Sequence, residues 1–321
     1  MFKALIIAAA AVSLLLSGCA DKTDSSVSGS GAFSTSEAQE SALPEGIAAE
    51  INADTARVSY LGPEGTYTQE ACGAFFESKG SYVPYETDGD AVNALISGKS
   101  DFAVIPQENT IGGAVTDYID ILISNETLSV VGETELPINQ NLLVLPGTDL
   151  SDIKTVYSHK QGIAQGKEWL DKNLPDAEVI EVSSTAEGAK MVSEGGDSSM
   201  AAIASAACAD VYGLDIFAAA IQNNDSNKTR FYVLSLQQPP TADAERTAFI
   251  AKGSAADLPK LLGELDKQGI TLVTLHDRPE KTELGNYSYV LECEGLTYSQ
   301  FLALEENTVL KMRFLGCFDV K

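Results

Sequence analysis

From residue 57 onward, apolar and polar positions fall into short runs that alternate between the two-residue period of strands and the 3.6-residue period of helices. Residues 57–62 predict a strand, and Pro63-Glu64-Gly65-Thr66 opens a helical pattern reaching about residue 78. Residues 101–106 predict the next strand, which leads through residues 107–113 into a helix over 115–123. Two strand-like runs follow, at 128–137 and 142–145. The pattern then gives a strand at 155–159, a helix at 163–174, a strand at 179–182 and a helix at 185–193. It closes with a strand at 200–204, a helix through Cys208 to Tyr212 and a strand at 230–236. Ser184-Thr-Ala-Glu187 has capping-box form, which marks Ser184 as a helix N-cap rather than a nucleophile. Strands and helices alternating at this spacing predict an α/β domain with largely parallel sheets.

Gln237-Gln-Pro-Pro-Thr241 interrupts the pattern and marks a domain boundary. Beyond it the order is strand 247–251, helix 256–268, strand 272–275, strand 287–293, helix 298–307 and strand 312–317. This is the βαββαβ split motif of ferredoxin-like domains, expected to pair across subunits in a homodimer or larger oligomer. At the other end, Lys3 precedes an unbroken run of small and apolar residues from Ala4 to Leu16. The run is too short to span a bilayer and has the form of a signal-peptide core. Leu16-Ser-Gly-Cys19 resembles a lipobox, so residues 1–18 are expected to be a lipoprotein signal peptide and Cys19 the lipidated residue. Residues 19–54, rich in Ser, Gly, Ala and Glu, read as a flexible tether. The expected location is extracytoplasmic, with membrane contact only through the lipid.

Charge narrows the function. The 321 residues carry 21 Lys+Arg against 46 Asp+Glu, a net of −25, and 44% are hydrophobic. This excess argues against nucleic acid as a partner, because phosphate binding needs a basic face. Residues 55–245 hold most of it, with 10 bases and 28 acids and only two arginines, Arg57 and Arg230. An anionic ligand there has to be held locally, against the surrounding field. Cys72, Cys208, Cys293 and Cys317 form no close CxxC pair, which argues against a zinc or thioredoxin-like site and for buried thiols. Ser158 and His159 are neighbours on an extended strand and point to opposite faces, which argues against a Ser–His hydrolase.

Four segments carry a family resemblance: Tyr60-Leu-Gly-Pro-Glu-Gly-Thr-Tyr67, Pro106-Gln-Glu-Asn-Thr110 followed by Gly113, Ser158-His-Lys-Gln161 with Ala164-Gln165, and Asn227-Lys-Thr-Arg-Phe231. In order and spacing, the chain from about residue 58 resembles prephenate dehydratase followed by its ACT regulatory domain. The resemblance implies a catalytic domain at 55–238, built of two lobes like a type II periplasmic binding protein with the site in the cleft, and an ACT domain at 246–321. The implied activity is that of a carbon–oxygen lyase in phenylalanine biosynthesis. It converts prephenate to phenylpyruvate, CO2 and water, with no metal or organic cofactor. Prephenate and its aminated analogue arogenate both fit the motifs.

On this resemblance Thr229, Arg230, Phe231, Glu108 and Asn109 are the expected catalytic residues. Arg230 is expected to clamp a substrate carboxylate, and Thr229 to donate to the leaving hydroxyl. Thr66, Thr110, Ser158 and Gln161 are expected as polar substrate contacts, with the Gly65-Thr66 turn offering backbone N–H groups. Arg57 is expected to have a surface role. His276-Asp277-Arg278-Pro279 resembles part of the family's phenylalanine site, which implies a phenylalanine effector. Residues 253–257 lack the family's usual run at the first helix, so feedback binding and a purely dimerising domain both stand. Gln107, Thr110 and Lys160 also depart from the usual residues, without removing a group the chemistry needs. Because the leader places the chain outside the compartment expected for this chemistry, a lipid-anchored solute-binding or sensory protein for an aromatic acid is the alternative.

Overall fold

The computed structural model describes residues 51–236 and 244–321. The signal segment, Cys19, the tether through residue 50 and the 237–241 break lie outside the described residues. A 3-10 turn at Ala53–Thr55 precedes the first strand, and Ile51 and Ala53 pack against the core. Regular structure therefore starts inside the segment expected as tether.

The first lobe contains β1 (Arg57–Leu61), α1 (Tyr67–Phe75), β2 (Ser81–Tyr85), α2 (Asp88–Ile96), β3 (Phe102–Asn109), β4 (Gly113–Ala114), α3 (Thr116–Ser124) and β5 (Leu128–Pro137). The second lobe follows with β6 (Asn141–Val144), β7 (Thr155–Ser158), α4 (Lys160–Asn173), β8 (Glu178–Glu181), α5 (Thr185–Gly195), β9 (Met200–Ala204), α6 (Ala206–Tyr212) and β10 (Asp215–Ala218). The chain then returns to the first lobe as β11 (Lys228–Leu236). The sheets run β2-β1-β3-β11-β5, with β4 paired to β3, and β10-β6-β9-β7-β8. Thr66, Thr87, Ser184 and Ser205 cap α1, α2, α5 and α6, each hydroxyl accepting from the backbone N–H three residues on. The expected N-cap role of Ser184 is realised.

The sheets are mixed rather than largely parallel. β1 is parallel to β2 and β3, and β7 to β8 and β9, whereas β11 is antiparallel to β3 and β5, and β6 to β9 and β10. The reason is connectivity. β3 and β5 run towards the second lobe, and β11 comes back from it, so its direction is reversed. Outgoing and returning segments lie side by side, with Ile138 N–H donating to Asn227 O at 2.9 Å.

Residues 246–318 form β12 (Arg246–Ser254), α7 (Leu258–Lys267), β13 (Thr271–Pro279), β14 (Asn286–Glu294), α8 (Tyr298–Asn307) and β15 (Lys311–Phe318). The antiparallel order β13-β14-β12-β15 is the expected ferredoxin-like topology. Alternation divides its two faces. Phe249, Ala251 and Leu291 pack with Leu261, Leu265, Phe301 and Leu304 of α7 and α8. Ala248, Ile250, Val290 and Leu315 instead join Tyr118, Leu122, Val130 and Tyr232 of the first lobe in one continuous core. The C-terminal residues extend this contact, since Lys321 N–H donates to Glu133 O at 2.9 Å and Val320 bridges to Glu133.

Gly316 lets β15 close on β5, because a Cβ there would overlap the carbonyl oxygen of Val130. Gly316→Ala is expected to cost about 1–3 kcal/mol through overpacking at this contact. Urea unfolding checks it, and an unchanged midpoint and slope would mean that the contact yields freely.

Candidate active site

Alternation along β11 sets the site. Thr229 and Phe231 line the cleft between the lobes, and Arg230 points to the opposite face. On β3 the register is interrupted: Glu108 pairs with Arg230 and Pro106 with Phe231, which leaves Gln107 as the extra residue of a bulge. The bulge turns Gln107 and Glu108 away from the cleft, while Pro106 and Asn109 line it.

The cleft encloses about 270 Å³. Asn109 Nδ2 donates to Thr229 Oγ1 at 2.9 Å and to Asn227 Oδ1 at 2.8 Å, and its Oδ1 accepts from the N–H groups of Ile111 and Gly112 at 3.0 and 2.8 Å. The amide is thereby fixed. With Asn109 donating to it, the hydroxyl of Thr229 keeps its own proton available for a ligand. From the second lobe come His159, Gln161, Gln165, Ser184 and Thr185. The crossing residue Gln140 donates to Gln165 Oε1 at 2.9 Å, and its own Oε1 is buried without a partner.

Among the described residues, no lysine or arginine lines this cleft. Instead it gathers the N-caps of three helices: Thr66 of α1, His159 of α4 and Ser184 of α5. The first turn of each leaves N–H groups without carbonyl partners in its own helix, at the positive end of the helix dipole. Gly65 N–H does not contribute, because it donates to Gln69 Oε1 at 2.6 Å. The turn is held from the second lobe by Tyr212 Oη donating to Glu64 O at 2.7 Å, and by Ser205 Oγ and Cys208 Sγ at 2.9 and 3.0 Å from Gly65 O. Burial pushes the Cys208 thiol up to about 11, so at neutral pH it remains a thiol. Cys72, Cys208, Cys293 and Cys317 are all buried.

The structure therefore brings together Asn109, Thr229, Phe231, Thr66 and Gln161, and separates the other expected residues from them. Arg230 does not reach the cleft. It is 12% exposed and lies between two fully buried carboxylates, Glu133 and Glu292, each with an oxygen 2.6 Å from Nη2, with Glu108 and Glu135 at 3.8 Å. Glu108 likewise faces the small domain, 3.7 Å from His276 Nε2. Thr110 ties the β3–β4 turn to β11, its hydroxyl accepting from Lys228 N–H at 2.8 Å. Ser158 is fully buried and donates to Ile203 O at 2.7 Å, a structural bond between β7 and β9. His276 and Arg278 face α3: His276 Nδ1 pairs with Tyr118 Oη, and Arg278 makes two 2.6 Å bonds to Asp120. Asp277 and Pro279 are exposed, so the four expected effector residues do not share one face. Arg57 is half exposed and pairs with Asp101 at 2.6 Å, which matches its expected surface role. Sequence reasoning missed Gln140 and the latch on Gly65, and it quoted Gln165 without giving it a role. For Arg230 the signal was present, since alternation sends the middle residue of Thr-Arg-Phe to the other face.

Two α/β lobes, joined by paired crossings, flank a cleft of neutral donors and define a two-lobed α/β fold. Residues 58–239 match the family model described as prephenate dehydratase. The chain is 35% identical over 240 residues to the bifunctional chorismate mutase/prephenate dehydratase of Neisseria gonorrhoeae, covering 74% of this chain and 66% of that protein. It thus spans about two thirds of the length of such bifunctional relatives. To the prephenate dehydratase of Amycolatopsis methanolica it is 34% identical over 273 residues, 82% of this chain and 88% of that one. Among solved structures it resembles the prephenate dehydratase of Arthrobacter aurescens in complex with L-Phe, with a TM-score of 0.73 and 28% identity over 82% of this chain and 89% of that chain. The chain belongs to the prephenate dehydratase family.

Burial and then the Glu292 carboxylate push Glu133 up to about 8, against the opposing pull of Arg230. A free glutamate titrates near about 4.3, so the folded protein keeps a proton that the unfolded chain releases. This contribution is full below about pH 4.3 and is lost as pH rises through about 8. Between pH 5 and 9 the unfolding free energy of wild type should fall relative to that of Glu133→Gln. Parallel profiles for the two proteins would reject this assignment.

Proposed function

We propose that the chain converts prephenate to phenylpyruvate in the cleft between its lobes. The carrying observation is the Asn109–Thr229 hydrogen bond, which fixes a hydroxyl donor on the cleft face of β11. In this reaction the ring carboxylate leaves as CO2, its bonding electrons aromatise the ring, and the C–O bond to the ring hydroxyl breaks. Thr229 Oγ1 donates its proton to the departing oxygen, and solvent restores it. One proton is consumed in forming water. Aromatisation makes the change downhill, so the protein's tasks are orientation and proton donation. The helix N-termini and the Gln161 and Gln165 amides hold the carboxylates.

The lipobox-like Leu16–Cys19 segment supports a lipid-anchored, extracytoplasmic placement. The βαββαβ topology supports an ACT-type regulatory role for residues 246–321, in a homodimer or larger oligomer. The L-Phe complex of the Arthrobacter aurescens relative supports phenylalanine as the effector. The signal-like leader also favours one competing reading, a solute-binding or sensory protein that holds an aromatic acid without turnover.

Incubating the full-length chain with prephenate and following phenylpyruvate absorbance separates these readings. Saturable binding with no product would leave only the binding protein. For the enzyme, Thr229→Ala is expected to lower kcat by roughly 10²–10⁴-fold with little change in KM. Thr229→Ser, which keeps the hydroxyl, should retain much of the activity. An unchanged kcat in Thr229→Ala removes Thr229 from the mechanism.

A further inference from the structure

One residue of the small domain grips the catalytic strands from behind. Glu292, on β14, pairs through Oε1 with Arg230 Nη2 at 2.6 Å. Its Oε2 accepts from Tyr232 Oη at 2.5 Å and from Gln107 Nε2 at 3.3 Å. It also pairs with Arg246 of its own domain at 3.3 Å, and each residue it holds in the first lobe is next in the chain to a cleft residue. Arg230 lies between Thr229 and Phe231, Tyr232 follows Phe231, and Gln107 follows Pro106. Gln107 is also the residue at which β3 bulges before Asn109 returns to the cleft. Glu292 thus fixes the far side of both strands that supply the Asn109–Thr229 pair, and it does so where β3 departs from regular pairing. A bulge has weaker ladder support than a regular strand, so its shape depends on what holds it from outside.

We propose that Glu292 is a positioning residue for the Asn109–Thr229 pair, so that the docked small domain sets the geometry of the cleft through Arg230 and the β3 bulge. The inference rests on the reading of the cleft as the prephenate site. A residue that only neutralised Arg230 would affect folding stability, and its effect on turnover would not depend on Asn109. A positioning residue acts through the pair, so its effect disappears once the pair is broken.

The test uses the full-length chain. Glu292→Gln is expected to lower kcat at least tenfold while KM stays within threefold. In an Asn109→Ala background the same substitution should change kcat less than twofold. Amide hydrogen exchange in residues 107–110 and 228–231 should be faster in Glu292→Gln than in wild type. Effects on kcat that multiply independently of Asn109, or unchanged exchange at these amides, would overturn the proposal. If wild type forms no phenylpyruvate, the reading of the cleft fails on its own, and the exchange measurement decides the role of Glu292. Should Glu292→Gln not fold, Tyr232→Phe removes only the hydroxyl that donates to Glu292. A smaller loss of kcat is then expected with the same dependence on Asn109 and the same faster exchange, and their absence overturns the proposal.

Discussion

β11 enters the first sheet between β3 and β5 after the chain has built the whole second lobe, and two sets of demands meet on its faces. Thr229 and Phe231 look into the cleft, while Arg230 and Tyr232 look into the contact with the small domain. Neither face can move alone, because a strand turns as a unit about its backbone bonds. The direction of β11 follows from its route: it starts beside the end of β3, which brings Asn109 and Thr229 into register as direct partners. The donor pair in the cleft is therefore a product of topology as much as of residue type.

The contact behind β11 is ionic where the surrounding core is apolar. Glu133 and Glu292 have no exposure, and Arg230 and Arg246 have little. Removing charge from water is costly, and the cluster offsets it by giving Glu292 guanidinium and hydroxyl donors and by leaving Glu133 its proton at neutral pH. Arg230 satisfies Glu133 of its own sheet and Glu292 of the neighbouring domain, so the two sheets share one cation. Glu133 still has one oxygen without a partner, consistent with a carboxyl that keeps its proton to a pH well above the usual range. Arg230 thus engages its Nε and Nη2 groups with these two carboxylates, on the face of β11 opposite the cleft.

Much of the fold was legible from local pattern. Helices with strong N-caps, such as those at Thr66 and Ser184, fall where the hydroxyl and the apolar period place them. The elements not predicted are those with weak local signals. β2 is a half-exposed edge strand containing Pro84, α2 carries Gly89 in its first turn, and β10 is an exposed edge strand. Strand direction was not readable, because it depends on which lobe a strand comes from. In the site, Asn109, Thr229 and Gln161 were found because they belong to contiguous motifs. Gln107 and Glu108 turn aside at a bulge defined by pairing with a strand about 120 residues later, which no local window contains. Arg230 lies behind the strand with partners 97 and 62 residues away, which no local window contains, although period-two alternation alone already sends it out of the cleft.

A cleft lined by helix N-termini and amides, with Arg230 on the far side of the strand, differs from one built around a guanidinium. A guanidinium paired with a carboxylate holds the negative charge on the two oxygens and resists its withdrawal. In the proposed reaction, loss of CO2 requires that charge to flow out of the carboxylate and into the ring. Dispersed, neutral donors would grip the departing carboxylate more loosely than a fixed cation and let its charge leave. In that reaction, the placement of Arg230 behind the strand leaves the departing carboxylate without a cation to hold its charge in place.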